Sequence, residues 1–149
     1  MNIYYDNMNY SNVIKGSYIV PIQNEELITK ARNDFISEIK KNELLPNGNF
    51  IYFFEQLNES VCRLSFLLPV DKIGNMKESK LQAYSYYSQE QVLCCMVPYK
   101  DLEKIEEITD KMKEKCKKDG CKMYGPLYFV LPKNSEDDYL YVKVGITDE

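Results

Sequence analysis

Residues 20–48, VPIQNEELITKARNDFISEIKKNELLPNG, fall onto residues 97–125, VPYKDLEKIEEITDKMKEKCKKDGCKMYG, when the chain is shifted by 77 positions. Val20-Pro21 lands on Val97-Pro98, Asn24 on Asp101, Glu26 on Glu103, Ile28 on Ile105, Lys40-Lys41 on Lys117-Lys118 and Gly48 on Gly125. With one residue dropped, Leu64, Phe66, Leu68 and Val70 land on Leu140, Val142, Val144 and Ile146. Identities are few. What recurs is the order of punctuation and periodicity, the mark of a repeated structural unit.

Each stretch reads as a helix. Asn24 is a good N-cap, Glu25 and Glu26 suit the positive end of the helix dipole, and Leu27, Ile28, Ala31, Phe35 and Ile39 recur at three- to four-residue spacing to about Asn42. In the second stretch Asp101 is the expected cap, Leu102, Ile105, Ile108, Met112 and Cys116 form the apolar stripe, and Gly120 is a natural C-cap. Outward from the helices lie β-branched and aromatic runs. In the first half, strands are expected at 11–22, 49–56 and 60–70, the last two joined by the Leu57–Glu59 turn. In the second half they are expected at 89–97, 127–132 and 138–146. Turns are expected at Pro46-Asn47-Gly48 in the first half and at Tyr124-Gly125-Pro126 and Asn134 to Asp137 in the second. Residues 71–87, with Gly74, Asn75 and many charges, read as a linker. The expected fold is α+β: a duplicated strand-helix-strand-strand unit forming antiparallel sheets, with two long helices on one face and a concave seam on the other. It is read as one domain, 1–149, built from repeats at about 11–70 and 88–146.

Composition narrows the chemistry. The chain has 149 residues, 44% hydrophobic and 28% charged, with a net charge of −4. That balance is globular and speaks against nucleic-acid or anionic-membrane partners. The apolar runs are strand-length, and residues 1–10 (MNIYYDNMNY) do not read as a signal peptide, so a cytoplasmic protein without membrane contact is expected. Cys62, Cys94, Cys95, Cys116 and Cys121 contain no CxxC pair and read as buried thiols in a reducing compartment. The chain has no histidine. A His-dependent triad is therefore impossible, and no catalytic residue, metal site or cofactor is expected. Lys111, Lys115, Lys118 and Lys122 share a helical stripe beside Glu103, Glu107, Asp110 and Glu114, which reads as a solvated, ion-paired helix face.

The layout resembles the GyrI-like small-molecule-binding domain, the bacterial transcription-activator effector-binding fold that the SOUL haem-binding family shares. The residues that carry the resemblance are the strand ending in Val97-Pro98-Tyr99, the charged helix 101–118, the segment 123–132 (MYGPLYFVLP) and its hairpin partner 138–146. In that family a Glu on the last strand, four residues before a Pro, commonly faces the pocket. Here Gly145 stands at the Pro position and Tyr141 at the Glu position, with Ser65 at the corresponding place in the first half. The family often carries this domain behind a DNA-binding helix-turn-helix. With a first strand expected at residue 11, the resemblance implies a stand-alone version.

The sides of the hairpins turned away from the helices then form the candidate surface. It holds Arg63, Ser65 and Leu67, and Tyr139, Tyr141 and Lys143, joined by Ile51, Phe53, Glu55 and Tyr128 if those strands present the matching face. The ligand-binding residues read from this are Glu55, Arg63, Ser65, Tyr128, Tyr139, Tyr141 and Lys143, an aromatic surface with a few polar anchors. Arg63 and Lys143 suit a neutral or anionic ligand better than a cation. The competing reading of the same residues is a solvated sheet face. The implied function is a non-catalytic, stand-alone binder of a small aromatic or amphipathic compound. Two others stay open: a protein-interaction or adaptor protein with a degenerate pocket, for which Tyr4, Tyr5, Tyr10 and Tyr84 to Tyr87 would be contact surface, and a small-molecule hydrolase using Tyr141 or Tyr128 with Glu55. Oligomeric state is left open.

Overall fold

The structure, a computed structural model, describes residues 2–74, 76, 80–133 and 136–148. Its elements are β1 (Ile3–Pro21), α1 (Glu25–Lys41), β2 (Ile51–Gln56), β3 (Val61–Pro69), β4 (Gln82–Pro98), a 3-10 helix (Tyr99–Lys104), α2 (Ile105–Asp119), β5 (Cys121–Val130) and β6 (Tyr139–Asp148). The fold is α+β with antiparallel strand pairing in both hairpins. The chain divides into two compact units: an inner unit, Tyr10–Tyr87, and an outer unit, Met1–Asn9 with Ser88–Glu149. Strands β1 and β4 each contribute one part to either unit.

In the inner unit the sheet runs β4, β1, β3, β2. The register pairs Gly16 with Phe66 and Tyr18 with Leu64 on β1 and β3, and Tyr52 with Phe66 on β2 and β3. Alternation then puts Ile14, Gly16, Tyr18, Val20, Leu64, Phe66 and Leu68 on one face. Helix α1 covers that face with Ala31, Phe35 and Ile39, all buried. The Phe35 ring stacks on Phe66 at 5.3 Å between centroids and meets Phe50 edge-on at 5.8 Å. Gly16 lies directly beneath it: a Cβ there would stand 2.5 Å from Phe35 Cδ1. The Phe35 ring thus occupies the space a side chain at residue 16 would need.

In the outer unit the order is β1, β4, β6, β5. Leu93, Cys95 and Val97 pair with Val144, Val142 and Leu140, and these residues share a core with Ile108, Met112 and Cys116 of α2. Side-chain bonds from Ser88 to Asn9 (2.6 Å) and from Cys94 to Tyr4 (3.3 Å) advance along β4 while retreating along β1, so that pair is antiparallel too. In both hairpins the apolar rows expected under the helices, Leu64-Phe66-Leu68-Val70 and Leu140-Val142-Val144-Ile146, lie in the helix-covered cores.

Several boundaries differ from the sequence expectation. β1 starts at Ile3, well before residue 11. Asn12 explains why alternation was hard to follow there: it has a φ of 54°, which Asn tolerates, and its side chain donates to Asp71 O (3.1 Å). Before it Ile3 packs on the α2 core; after it Ile14 packs on the α1 core. The parity of the residues that meet a helix-covered core thus changes from odd at Ile3 to even at Ile14, as a bulge residue allows. β4 begins at Gln82, so residues 82–87 are strand and not linker. Tyr-rich and exposed on both faces, they lack the alternation that marks a half-buried strand. Tyr124-Gly125-Pro126 is not a turn. β5 runs through it, with a register shift between Tyr124 and Leu127 and Gly125 at a φ of 77°. Asp101 does not cap a helix. It sits inside the 3-10 segment, paired with Lys104 at 3.9 Å, and α2 begins at Ile105 without a side-chain cap. The turn expected at Asn134 to Asp137 lies partly outside the described residues.

Candidate functional site

The sheet face turned away from each helix holds the residues singled out in the sequence. In the inner unit these pair across β1, β3 and β2: Ser17 with Ser65, Phe53 with Ser65, Glu55 with Arg63. Arg63 Nη1 lies 3.8 Å from Glu55 Oε1, with both side chains about two-fifths exposed. A pair so open is worth little to stability. Ser65 is different. It is fully buried, and its hydroxyl shares a 2.9 Å hydrogen bond with Ser17. Val13, Ile51, Phe53 and Leu67 on the same face are buried as well, and Lys15 Nζ rests over the Phe53 ring at 5.5 Å. Over these residues the face is not solvated.

In the outer unit Tyr128 pairs with Lys143 and Met96 with Tyr141. The rings of Tyr139 and Tyr141 meet edge to face at 5.6 Å, and both residues are half-buried. A hydrogen bond with Tyr141, reinforced by Asp137, raises the Tyr139 phenol pKa above its ordinary value. Tyr128 is buried. Lys143 keeps only 12% of its side chain exposed and reaches Asp6 Oδ2 at 3.4 Å. Beside it the Tyr4 phenol pKa is raised, by burial first and then by Cys94, whose own thiol is pushed up by burial. The structure therefore groups Tyr128, Tyr139, Tyr141 and Lys143 on one face of the outer unit, and Glu55, Arg63 and Ser65 on one face of the inner unit.

Cavities among the described residues lie elsewhere. One of about 490 Å³, in the inner unit, is lined by Ile22, Gln23, Ile28, Phe54, Gln56 and Cys62. A second of about 310 Å³, in the outer unit, is lined by Tyr5, Asp6, Gln91, Asp119, Cys121, Ile146 and Asp148. There the Tyr5 hydroxyl donates to Asp119 Oδ2, and Lys115 Nζ stands 3.3 Å from the same oxygen and 5.1 Å over the Tyr5 ring. The Tyr5 bond, then Lys115, hold the Asp119 carboxyl below its usual range. A third, of about 410 Å³, lies along Ser88 to Gln91, Tyr124 and Ile146 to Asp148. Of these residues the sequence marks Tyr5 as contact surface in the protein-interaction reading, and none as part of a small-molecule site. Tyr5 and Asp6 lie in the polar N-terminal stretch ahead of the strand expected at 11–22, which carries no clear period. Lys115–Asp119 is the ion pair on α2; Glu107–Lys111 and Glu114–Lys118 do not form among the described residues. No cluster of three or more potential metal-binding side chains occurs among the described residues, and no helix among them is long and apolar enough to cross a membrane.

No protein-family model and no curated protein sequence matches the chain. Solved structures do. The crystal structure of the EcmrR C-terminal domain aligns over 99% of this chain and 98% of its own, with a TM-score of 0.69 at 12% identity. This chain has the fold of that domain. EcmrR in the cryo-EM structure of its DNA complex aligns with a TM-score of 0.67 at 13% identity, and the chain spans 58% of that longer protein. A hydrolase from Listeria innocua aligns over 96% of this chain and 91% of its own, with a TM-score of 0.64 at 9% identity. At these identities the likeness is one of fold alone. That fold is consistent with the GyrI-like resemblance.

Proposed function

We propose that the chain is a non-catalytic binding protein for a small aromatic or amphipathic compound, which meets the sheet face of the outer unit at Tyr128, Tyr139, Tyr141 and Lys143. The observation that carries this reading is the edge-to-face Tyr139–Tyr141 pair on β6, half-buried and on the same face as the nearly covered Lys143 ammonium. Two phenol rings at this angle present an apolar wall with polar tips, and such a wall binds flat, partly polar molecules. Lys143 shares its charge with Asp6, so the surface favours a neutral or weakly anionic ligand over a cation. Glu55 and Arg63 form a second polar pair on the inner unit's face, half-exposed and able to exchange each other for a ligand group. Ser65 supports that face through Ser17.

The chain has no histidine, which rules out a His-dependent triad. Burial raises the Cys62, Cys94 and Cys95 thiols above their ordinary pKa and so suppresses the thiolate a nucleophile needs. The fold, shared with the EcmrR C-terminal domain, is compatible with a ligand-binding protein.

A thermal-shift screen with neutral, anionic and cationic aromatic compounds tests the reading, because a ligand bound only by the folded chain raises Tm with its concentration. At least one neutral or anionic compound is expected to stabilise the wild type and to lose that effect in Tyr139→Ala and Tyr141→Ala. A screen in which every shift survives both substitutions sinks the proposal.

A further inference from the structure

The inner-unit cavity is independent of that sheet face. Phe54, Gln56 and Cys62 point to the α1 side of the sheet, whereas their chain neighbours Glu55 and Arg63 point to the other. Its walls are Ile22, Ile28, Phe54 and the Cys62 thiol, with the carboxamides of Gln23 and Gln56 at the edge. At about 490 Å³ it falls within the usual range for small-molecule sites. Two large side chains adjacent in sequence to its lining residues stay exposed in the folded chain: Leu27, 38% exposed on the first turn of α1, and Leu57, 44% exposed directly after Gln56. Its geometry is fixed by the backbone. Ile22 N donates to Ser60 O (3.0 Å), tying the β1–α1 connection to the β2–β3 hairpin, and Gln23 is held at a φ of 61°. A glutamine in this left-handed region is strained, and it persists only where surrounding contacts impose it.

Charge decides the occupant. Among the described residues no ionised side chain lines the cavity. The start of α1 is not an anion site: Asn24 already accepts from Leu27 N and Ile28 N, and Glu25 and Glu26 occupy the first turn. It offers no carboxylate for a cation either, since Glu55 is on the opposite face with Arg63. Burial raises the Cys62 thiol pKa, which keeps this wall neutral.

We propose that the groove between the start of α1 and the adjoining ends of β2 and β3 binds an uncharged, predominantly apolar aromatic molecule, oriented by the Gln23 and Gln56 carboxamides. Gln23 makes no hydrogen bond of its own among the described residues, and Gln56 donates to Asn58 O (3.1 Å) and keeps its carbonyl for a ligand donor.

The test uses N-phenyl-1-naphthylamine, a neutral probe whose fluorescence rises in apolar sites, beside 8-anilino-1-naphthalenesulfonate, its anionic counterpart. The neutral probe is expected to bind at least about tenfold more tightly than the anion, and Ile28→Asp to weaken it by about tenfold or more. Cys62 supplies a second readout on the unaltered protein. Alkylation of Cys62 by N-ethylmaleimide, followed by mass spectrometry of its peptide, is expected to slow severalfold when the neutral probe saturates the chain. An unchanged Cys62 rate under saturating probe, or unchanged probe affinity in a folded Ile28→Asp variant, overturns the proposal. Loss of probe binding in Tyr139→Ala without Cys62 protection puts the probe on the outer sheet face and overturns it as well, while leaving the first reading intact.

Discussion

Each unit contains a strand that leads through a helix into a hairpin, and the positions aligned by the sequence shift carry opposite side chains. Under the 77-residue shift Gly16 corresponds to Leu93 and Phe35 to Met112. In the inner unit the strand gives nothing and the helix supplies a large flat ring, which stacks on Phe66. In the outer unit the strand supplies Leu93 and the helix an unbranched, adaptable Met112, both fully buried. Close packing constrains the combined volume at a contact, not the identity of either partner. Two helix-strand contacts can therefore share a periodicity with few identities.

The largest way to break this comparison is a double-mutant cycle. Gly16→Leu should destabilise the chain by at least about 1–3 kcal/mol through overpacking against Phe35. Phe35→Met should cost on the order of 1–3 kcal/mol through lost ring contacts and residual space. If the pairs are equivalent, the double variant should be at least about 1 kcal/mol more stable than the two costs combined imply, measured by urea unfolding. Additive costs would show that residues 16 and 35 do not trade volume across their contact.

The helix starts offer a second contrast. In the inner unit Asn24 Oδ1 accepts from Leu27 N at 3.0 Å, and α1 follows at once. In the outer unit Tyr99 N is bound to Asp138 O at 2.9 Å, and the chain coils immediately after Pro98 into a 3-10 turn that contains Asp101. Asn24→Ala should therefore cost about 1 kcal/mol. Asp101→Ala should stay within about 0.5 kcal/mol, because it loses only an exposed pair with Lys104. Equal losses in thermal unfolding would contradict the capping difference.

Connections leading into the helices differ in strain too. Gln23→Gly removes the left-handed strain at a φ of 61° but adds freedom to the unfolded chain. A net gain of about 0.5 kcal/mol is expected, visible as a small rise in the urea midpoint; a loss would mean the Gln23 side chain holds the connection. The smallest effect concerns acid. Asp119 has a depressed folded pKa, first through Tyr5 and then through Lys115. Its contribution is complete above the unfolded carboxylate pKa and is lost as pH falls through the lower folded value. Tyr5→Phe should move the Asp119 titration midpoint, followed by carboxylate NMR, upward toward the ordinary value. An unmoved midpoint would assign the depression to Lys115 alone.

The amphipathic stripes of both helices and the alternating rows of β3 and β6 were legible because each has one buried face and one period. The N-terminal part of β1 and the start of β4 were not. Asn12 breaks the alternation in the first, and exposure on both faces removes it from the second. The candidate residues on β3 and β6 could be assigned to one face by parity, but parity does not say whether a face meets water. Ser65 and Tyr128 are buried, while Arg63 and Tyr141 remain half-exposed. The cavity beside α1 was hidden for a related reason. It draws on Ile22, Ile28, Phe54 and Cys62, which as a sequence are ordinary core residues.

By itself the sequence determined the two helices, the strands β3 and β6, their helix-facing sides and the lack of a His-dependent triad, because these depend on local periodicity and composition. Only the tertiary structure decided which parts of β1 and β4 belong to which unit, which half of the uncovered residues is buried, and where hollows remain. Those properties depend on how distant segments meet, and no local period records that.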